Sequence, residues 1–211
     1  ENADEIRWVA ELFPHARSYL GVYEDMGLLR TRAIYAHCLH LDADDRSLMA
    51  ERGAAAAVCP TSNLFLDSGF FHFKLAQSHQ LLHGLASDVG GGTSFSPFQT
   101  MHAAYTVARQ SVGHPGQSLS ASHLWWLHTA GAANALGLSG VCGNLNVGCE
   151  ADFVRINPHA TPLLARRIAA AQSLEEQLFA MVVLGDDRLI EGVVINGKAI
   201  GKKNGSNFSR Q

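Results

Sequence analysis

The sequence predicts an α/β protein that consists of the closing portion of a (β/α)8 barrel and the strands of a small appended β-domain. Compact apolar runs alternate with helical segments through the first 110 residues, as in a parallel sheet covered by helices. Two polar residues, His37 and Asp88, stand at the C-terminal ends of such runs, where barrel enzymes carry their chemistry. A complete barrel needs about 250 residues, so we expect this chain of 211 residues to hold only part of one.

Helical spacing of apolar residues, together with cap residues, predicts the helices of the barrel portion. They are expected at residues 4–12, 19–26, 71–80 and 98–110, with a further helix that Asp42 caps and Gly53 ends. The apolar runs predict strands at residues 33–36, 54–59 and 81–87. Pro14 and Pro60 are expected to end the first helix and the second strand, and residues 90–92 form a glycine-rich turn.

The pattern changes beyond residue 120. A single long helix is expected over residues 120–138, with an apolar side that carries Trp125, Trp126, Ala130, Ala133 and Leu136. A strand at 153–156, a helix at 173–184 and a hairpin follow; the hairpin strands 191–195 and 198–200 flank an Asn196-Gly197 turn. We therefore expect the barrel portion over residues 1–140, the late strands and helix of the β-domain over 141–200, and a polar tail over 201–211.

Composition excludes several classes of partner. The net charge of −3 and the lack of a lysine and arginine cluster argue against nucleic acid. No apolar stretch has the length of a membrane span, which argues against a membrane protein. The four cysteines form no C-x-x-C pair, and they predict a reducing compartment, the cytoplasm.

The side chains at the strand ends can first be weighed by residue type alone. A single histidine such as His37 is more often structural than catalytic. For Asp88, a carboxylate that points into a pocket and a carboxylate that caps the next turn are equally consistent with the spacing. Cys38 and Cys59 lie in apolar runs, where free cysteines are commonly buried, and neither belongs to a nucleophile motif.

Other candidate motifs carry less weight. The glycines at 90–92 match neither phosphate-binding pattern, so a nucleotide triphosphate site is not expected. Further histidines show neither H-x-H nor H-E-x-x-H spacing and are expected to pack in helices or lie at the surface. They are His72, His79, His83, His102, His114, His123, His128 and His159.

Taken together, four short motifs resemble the amidohydrolase superfamily, specifically its cytosine, guanine and chlorotriazine deaminase-like branch. In chain order they are ENADE at 1–5, AHC at 36–38, CPTSNL at 59–64 and SDVGGG at 87–92. Three stretches look closest to the members that deaminate guanine: PTSNLF at 60–65, DVGGGTSFS at 88–96 and LGDDR at 184–188. The resemblance extends over the chain to about residue 200.

The resemblance implies a metal-dependent hydrolase that converts guanine to xanthine and ammonia, with zinc, or alternatively iron, as its metal. Asp88 matches the eighth-strand aspartate that binds the metal and helps to activate the attacking water. His37 matches the sixth-strand histidine that contacts that water and the substrate. Glu1 matches the glutamate of a His-x-x-Glu motif, which binds the substrate and shuttles protons. Ser62 and Asn63 either orient these groups or close the loop, and the resemblance further implies a homodimer with a small-molecule purine substrate.

The same resemblance leads us to expect further metal ligands upstream of Glu1, namely the histidine three residues before it and an H-x-H pair. On that expectation the 211 residues alone would be inactive, because a catalytic zinc site normally has three protein ligands. Two alternatives stay open: a related enzyme that deaminates or dechlorinates another heterocycle, and a non-catalytic fragment.

Overall fold

The computed structural model describes residues 1–110 and 116–200. Its centre is a three-stranded parallel sheet with the strand order β1-β2-β3. The strands are β1 (Ile34–Ala36), β2 (Ala55–Val58) and β3 (Leu82–Leu85). In the register Ile34 pairs with Ala55, and Ala55 pairs with Leu82. The predicted alternation of parallel strands with helices is therefore confirmed in this part of the chain.

Six helices lie within residues 1–110, and the first three of them begin at side chains that accept hydrogen bonds from the first turn. They are α1 (Ala3–Leu12), α2 (Tyr19–Asp25), α3 (Ala43–Arg52), α4 (Pro60–Phe65), α5 (Phe73–Ser78) and α6 (Pro97–Arg109). Asn2 and Ser18 cap the first two helices, and Asp42 forms a capping box with Asp45 at the third. Gly53 ends α3 with a φ of 66°, as predicted.

Helix α4 was not predicted, because Pro60 was expected only to end the preceding strand. Proline also fits the first turn of a helix, where its missing N–H has no intrahelical partner. The same explanation holds for α9 (Pro162–Ala169), which begins at Pro162 after the cap residue Thr161 and was also missed.

The prediction of a single long helix over residues 120–138 is wrong. Two shorter helices, α7 (Ala121–Leu127) and α8 (Ala130–Ala135), meet at Thr129, whose φ and ψ are −129° and −101°. The turn brings Gly131 against the Trp126 ring, where an added Cβ would lie 2.6 Å from Cε3. Trp126 and Leu136 are 42% and 47% exposed, so they do not belong to an apolar packing side as predicted.

Helix α8 lies directly on strand β3. Gly84 makes this possible, since an added Cβ there would lie only 2.8 Å from the Ala132 Cα. Met49 of α3 and Phe73 of α5 belong to the same hydrophobic core as the buried residues of β2 and β3.

The late strands form a separate antiparallel sheet with the order β4-β5-β6. The strands are β4 (Phe153–Ile156), β5 (Ile190–Ile195) and β6 (Lys198–Ile200). Asn196 and Gly197 have φ angles of 48° and 71°, which suits the predicted two-residue hairpin turn. A short 3-10 turn, Asp187–Leu189, leads into β5.

Helix α10 (Leu174–Leu184) packs on α6, α7 and α9. The Tyr105 and Phe179 rings meet edge to face at 5.0 Å, and the Trp125 Nε1–H donates to the Leu178 carbonyl at 3.4 Å. The division of the chain near residue 140 stays a prediction. None of the helices in the described ranges has the length and hydrophobicity that a bilayer crossing requires. His114 and the predicted tail at 201–211 lie outside the described residues.

Candidate metal and active site

The C-terminal ends of the three parallel strands bring together a histidine, a cysteine and an aspartate. His37 follows β1, Cys59 follows β2 and Asp88 lies beyond the end of β3. Their potential ligand atoms all lie within 4.8 Å of one another. Parallel strands end at the same edge of a sheet, so residues distant in the chain meet there.

The backbone at two of these strand ends is in the left-handed region. The φ angles are 67° at His37, 52° at Cys38 and 50° at Asp88. The His37 N–H still donates to the Ala57 carbonyl at 2.9 Å, so the pairing of β1 with β2 reaches His37 before the chain turns. Such a conformation costs a residue with a side chain about 1–2 kcal/mol, and conformations of this kind cluster at functional sites.

The His37 ring lies between two polar side chains. Its Nδ1 is 2.8 Å from the Asn63 Oδ1, and its Nε2 is 3.8 Å from the Asp88 Oδ2. An amide oxygen can only accept a hydrogen bond, so Nδ1 carries the proton in this arrangement. The ring therefore presents Nε2 to the carboxylate.

Asp88 is held by the glycines that follow it. The Gly92 N–H donates to the Asp88 carbonyl, and a Cβ on Gly91 would lie 2.9 Å from Ser62 Oγ and 3.1 Å from Asp88 Oδ2. Ser96, rather than Asp88, is the residue that precedes the next helix, α6. The Asp88 side chain is 39% exposed and faces His37, which corresponds to the pocket alternative for this carboxylate.

Cys59 is buried beside this pair. Its thiol donates to the Ala57 carbonyl at 3.3 Å. Burial raises the pKa of the Cys59 thiol to about 11, and the negative charge of Asp88 acts in the same direction. Burial also raises the pKa of Cys38. Both thiols thus keep their protons at neutral pH in the absence of a bound cation.

Glu1 lies next to His37 but outside the three-residue cluster. Its carboxylate accepts from the backbone N–H groups of Leu39 and His40 at 3.0 and 3.1 Å, and the side chain is 12% exposed. Glu1 and His37 both line a cavity of about 350 Å³ between α1, α2 and the end of β1. The predicted site residues are therefore neighbours, although Glu1 contacts the backbone beyond His37.

The sequence left two features of this site unassigned. Cys59 was not proposed as a member of the cluster, although it ends its apolar run as His37 ends the run before it. Ser62 and Asn63 had two possible roles. Asn63 contacts His37, while Ser62 Oγ is buried without a hydrogen-bond partner among the described residues.

The cluster offers the kinds of donor atom that zinc binds. Zinc sites are built from imidazole nitrogen, carboxylate oxygen and thiolate sulfur, with bond lengths of about 2.0–2.3 Å. The His37 Nε2 and Asp88 Oδ2 are separated by 3.8 Å, which is close to the span of two ligands on one ion. The residues present therefore fit a divalent cation.

The sequence of this chain is similar to those of known proteins. The sequence profile described as the amidohydrolase family matches residues 1–200. The guanine deaminase of Escherichia coli is 41% identical over 204 residues, which is 97% of this chain and 46% of that protein. The chain thus spans about half the length of the curated relatives it matches.

Solved structures show the same similarity. The E. coli guanine deaminase structure superposes with a TM-score of 0.92 over 97% of this chain and 46% of the other. A guanine deaminase from C. acetobutylicum with guanine bound in its active site is 27% identical, with a TM-score of 0.82 over 95% of this chain and 47% of the other. An adenosine deaminase from Xanthomonas campestris with bound zinc is 25% identical, with a TM-score of 0.81 over 94% of this chain and 43% of the other.

Proposed function

Because the chain belongs to the amidohydrolase family, we propose that it is part of a metal-dependent enzyme that hydrolyses guanine to xanthine and ammonia. The observation that carries this proposal is the meeting of His37 and Asp88 at 3.8 Å on the ends of parallel strands. The similarity to the E. coli enzyme, 41% over 97% of this chain, favours guanine as the substrate.

Within the proposal, the sheet β1-β2-β3 and its helices are the closing portion of a (β/α)8 barrel. The barrel portion ends near residue 140, and the antiparallel sheet β4-β5-β6 belongs to the appended β-domain. A partial barrel agrees with the 46% of the E. coli protein that the chain covers.

Asp88 is the residue of this chain that we assign to the metal. Zinc is the proposed ion, with iron as the alternative, and the X. campestris relative was solved with zinc. When bound, such an ion acts as a Lewis acid that lets a water molecule lose a proton near neutral pH. The exposed side of the Asp88 carboxylate is open to that role, because no other side chain in the described ranges hydrogen-bonds to it.

His37 and Glu1 act on the water and on the substrate. His37 orients the attacking water through Nε2, the ring nitrogen that faces Asp88. Glu1 binds the purine and moves protons as a general acid and base. Its anchoring to Leu39 N–H and His40 N–H keeps the carboxylate beside the cavity that His37 also lines.

The reaction balances with one water molecule. The water oxygen bonds to the ring carbon that bears the exocyclic amine, and one water proton moves to a ring nitrogen through Glu1. The carbon–nitrogen bond to the amine then breaks. The amine leaves as ammonia with the second proton, and the carbon becomes a carbonyl of xanthine.

The remaining features of the proposal follow the family resemblance. The partner is a small purine rather than nucleic acid or a membrane, and the protein works in the cytoplasm as a homodimer. The exposed Trp126 on α7 is a candidate residue for the contact between copies.

One observation favours a second candidate function. The adenosine deaminase from X. campestris has a TM-score of 0.81 at 25% identity, which is close to the 0.82 of the C. acetobutylicum guanine deaminase. An aminohydrolase that acts on another purine ring is therefore the alternative substrate assignment.

The proposal is tested by ammonia release from guanine, adenosine and adenine and by chloride release from a chlorotriazine, with protein expressed from the whole reading frame that encodes this chain. We expect turnover of guanine and its loss in His37→Gln and Asp88→Asn. Glu51→Gln, an exposed change on α3, is the matched control and should keep full activity. Turnover of adenosine alone would replace the substrate assignment, and activity that survives Asp88→Asn would contradict the assigned site.

A further inference from the structure

Asn63 is held in place by its helix, by a backbone hydrogen bond and by burial. It lies in the short helix α4, its N–H donates to the Cys59 carbonyl at 3.0 Å, and the residue is only 2% exposed. Its side-chain oxygen is 2.8 Å from the His37 Nδ1. The helix that begins at the end of β2 thus holds an amide against the ring that ends β1.

This contact determines which nitrogen of His37 carries the proton. Because the amide oxygen cannot donate, Nδ1 is protonated, and the lone pair of Nε2 faces the Asp88 Oδ2 at 3.8 Å. Two acceptors at that separation repel each other when nothing lies between them. They are well placed to share one donor, and a water molecule can donate one O–H to each at about 2.8 Å.

The placement of Asn63 is not explained by folding stability alone. Its Nδ2 is buried without a partner among the described residues. A buried unsatisfied donor costs about 1–3 kcal/mol. The Asn63 side chain is nevertheless oriented with its oxygen on His37 and its Nδ2 unpaired among the described residues.

We propose that Asn63 is a positioning residue, which holds His37 in the Nδ1–H tautomer so that Nε2 and Asp88 each accept a hydrogen bond from one O–H group of the attacking water. The identity of the reaction rests on the proposed function, whereas the tautomer does not. Asn63 itself touches neither the water nor the substrate, and it acts only through the His37 ring.

The tautomer is tested first, by nitrogen-15 NMR of histidine-labelled protein made from the whole reading frame. The His37 signals are assigned by their disappearance in His37→Gln. We expect a protonated Nδ1 and an unprotonated Nε2 in the unchanged protein. In Asn63→Ala the proton should move to Nε2 in a large fraction of molecules, because the acceptor for Nδ1–H is gone.

Two further variants separate positioning from packing. Asn63→Asp keeps an acceptor oxygen of nearly the same shape and should restore the Nδ1–H tautomer. Ser62→Ala removes a buried hydroxyl from the same helical turn and should leave the tautomer as it is. An Nε2–H tautomer in the unchanged protein, or the same tautomer in Asn63→Ala as in the unchanged protein, would overturn the proposal.

The positioning role is tested separately by measuring kcat and KM of the Asn63 variants. Loss of a group that orients a site residue costs about 10–100-fold in activity, so we expect Asn63→Ala to lower kcat by that factor while KM for the purine changes about twofold or less. Asn63→Asp should recover part of the loss. An unchanged kcat in folded Asn63→Ala would reject the positioning role and leave the proposed function intact. A complete lack of activity in the unchanged protein would reject the proposed function, and the NMR result would still decide the tautomer.

Discussion

At the ends of strands β1 and β3, single residues adopt a backbone conformation that side chains disfavour. His37, Cys38 and Asp88 have φ angles of 67°, 52° and 50°. An extended continuation of the strands would send successive side chains to opposite faces of the sheet. The left-handed turns instead leave His37 and Asp88 facing each other at 3.8 Å. At this scale the protein retains backbone strain where the side chains of the two proposed site residues meet.

That strain can be measured at Asp88 by comparing two substitutions. Glycine adopts positive φ freely, while alanine in the left-handed region costs about 1–2 kcal/mol. We expect Asp88→Gly to exceed Asp88→Ala in free energy of unfolding by about 1 kcal/mol, measured by urea denaturation, although both lose activity.

The same pair of substitutions, glycine and alanine, serves as a control at an exposed position in helix α3. There the difference in free energy of unfolding should have the opposite sign. Glu51 is exposed and helical, so Glu51→Gly should be less stable than Glu51→Ala by about 0.5–1 kcal/mol. Equal stability of the two Asp88 variants would show that the left-handed turn is not strained.

The buried thiol of Cys59 makes stability depend on alkaline pH. Burial, with the charge of Asp88, raises the pKa of this thiol in the folded state from 9.0 to about 11. Above pH 9 the unfolded chain loses this proton before the folded protein does, so the free energy of unfolding falls between pH 9 and about 11. Below pH 9 the contribution is complete. Two pKa units correspond to an upper value of about 2.7 kcal/mol.

The measurement compares urea unfolding of the unchanged protein and Cys59→Ala at pH 8 and about pH 10. The variant loses packing at both pH values, but its stability should fall less between them. Cys142→Ala, at a partly exposed cysteine, should follow the unchanged protein. A constant difference between the unchanged protein and Cys59→Ala would contradict the prediction.

At the scale of elements, close backbone contacts decide how helices lie on the sheet. Helix α8 approaches β3 at Gly84, and the turn between α7 and α8 brings Gly131 against Trp126. A side chain at either glycine would occupy space that the neighbouring element already fills. These contacts determine where α8 lies, because its six residues are too few to be stable as an isolated helix.

Gly84→Ala tests this contact. The added Cβ would lie 2.8 Å from the Ala132 Cα, a backbone atom that can move away only if α8 moves. Overpacking of this kind costs about 1–3 kcal/mol, which thermal or urea unfolding would detect. Gly21→Ala in α2 is the control, because its added Cβ meets nothing nearer than 3.5 Å. A stable Gly84→Ala would mean that α8 is held by other contacts.

At the scale of the whole molecule, a cation held by Asp88 would lie where three segments that are distant in the chain meet. His37, Cys59 and Asp88 follow three different strands, and their ligand atoms lie within 4.8 Å of one another. A ligand that binds only the folded state stabilises it by mass action, by about 2.7 kcal/mol at a concentration of 100 times Kd.

We therefore expect zinc to raise the Tm of the protein and a chelator to lower it, as measured by calorimetry. The shift should be strongly reduced in Asp88→Asn and should change less in His37→Gln, because His37 is assigned to the water rather than to the metal. Glu51→Gln, an exposed change at a residue that does not belong to this cluster, should respond to zinc as the unchanged protein does. If zinc shifted the Tm of Asp88→Asn as much as that of the unchanged protein, Asp88 would not be a ligand of the metal.

The sequence by itself determined most of the local elements and the positions of two proposed site residues at strand ends. Apolar runs that alternate with capped helices specified the parallel sheet, and the Asn196-Gly197 pair specified the hairpin, because these signals arise from neighbouring residues. His37 and Asp88 could be placed at strand ends for the same reason. Their assignment to a metal-dependent hydrolase depended on the family resemblance of the motifs around them.

Only the tertiary structure decided the break between α7 and α8, the presence of Cys59 in the cluster and the contact of Asn63 with His37. Each depends on residues far apart in the chain, such as the 26 positions between Asn63 and His37. Helical periodicity across Thr129 and Gly131 is compatible with one helix, and packing of the Trp126 ring against Gly131 selects two. Periodicity reports the local preference of a segment, whereas distances between strand ends are determined by how the segments pack.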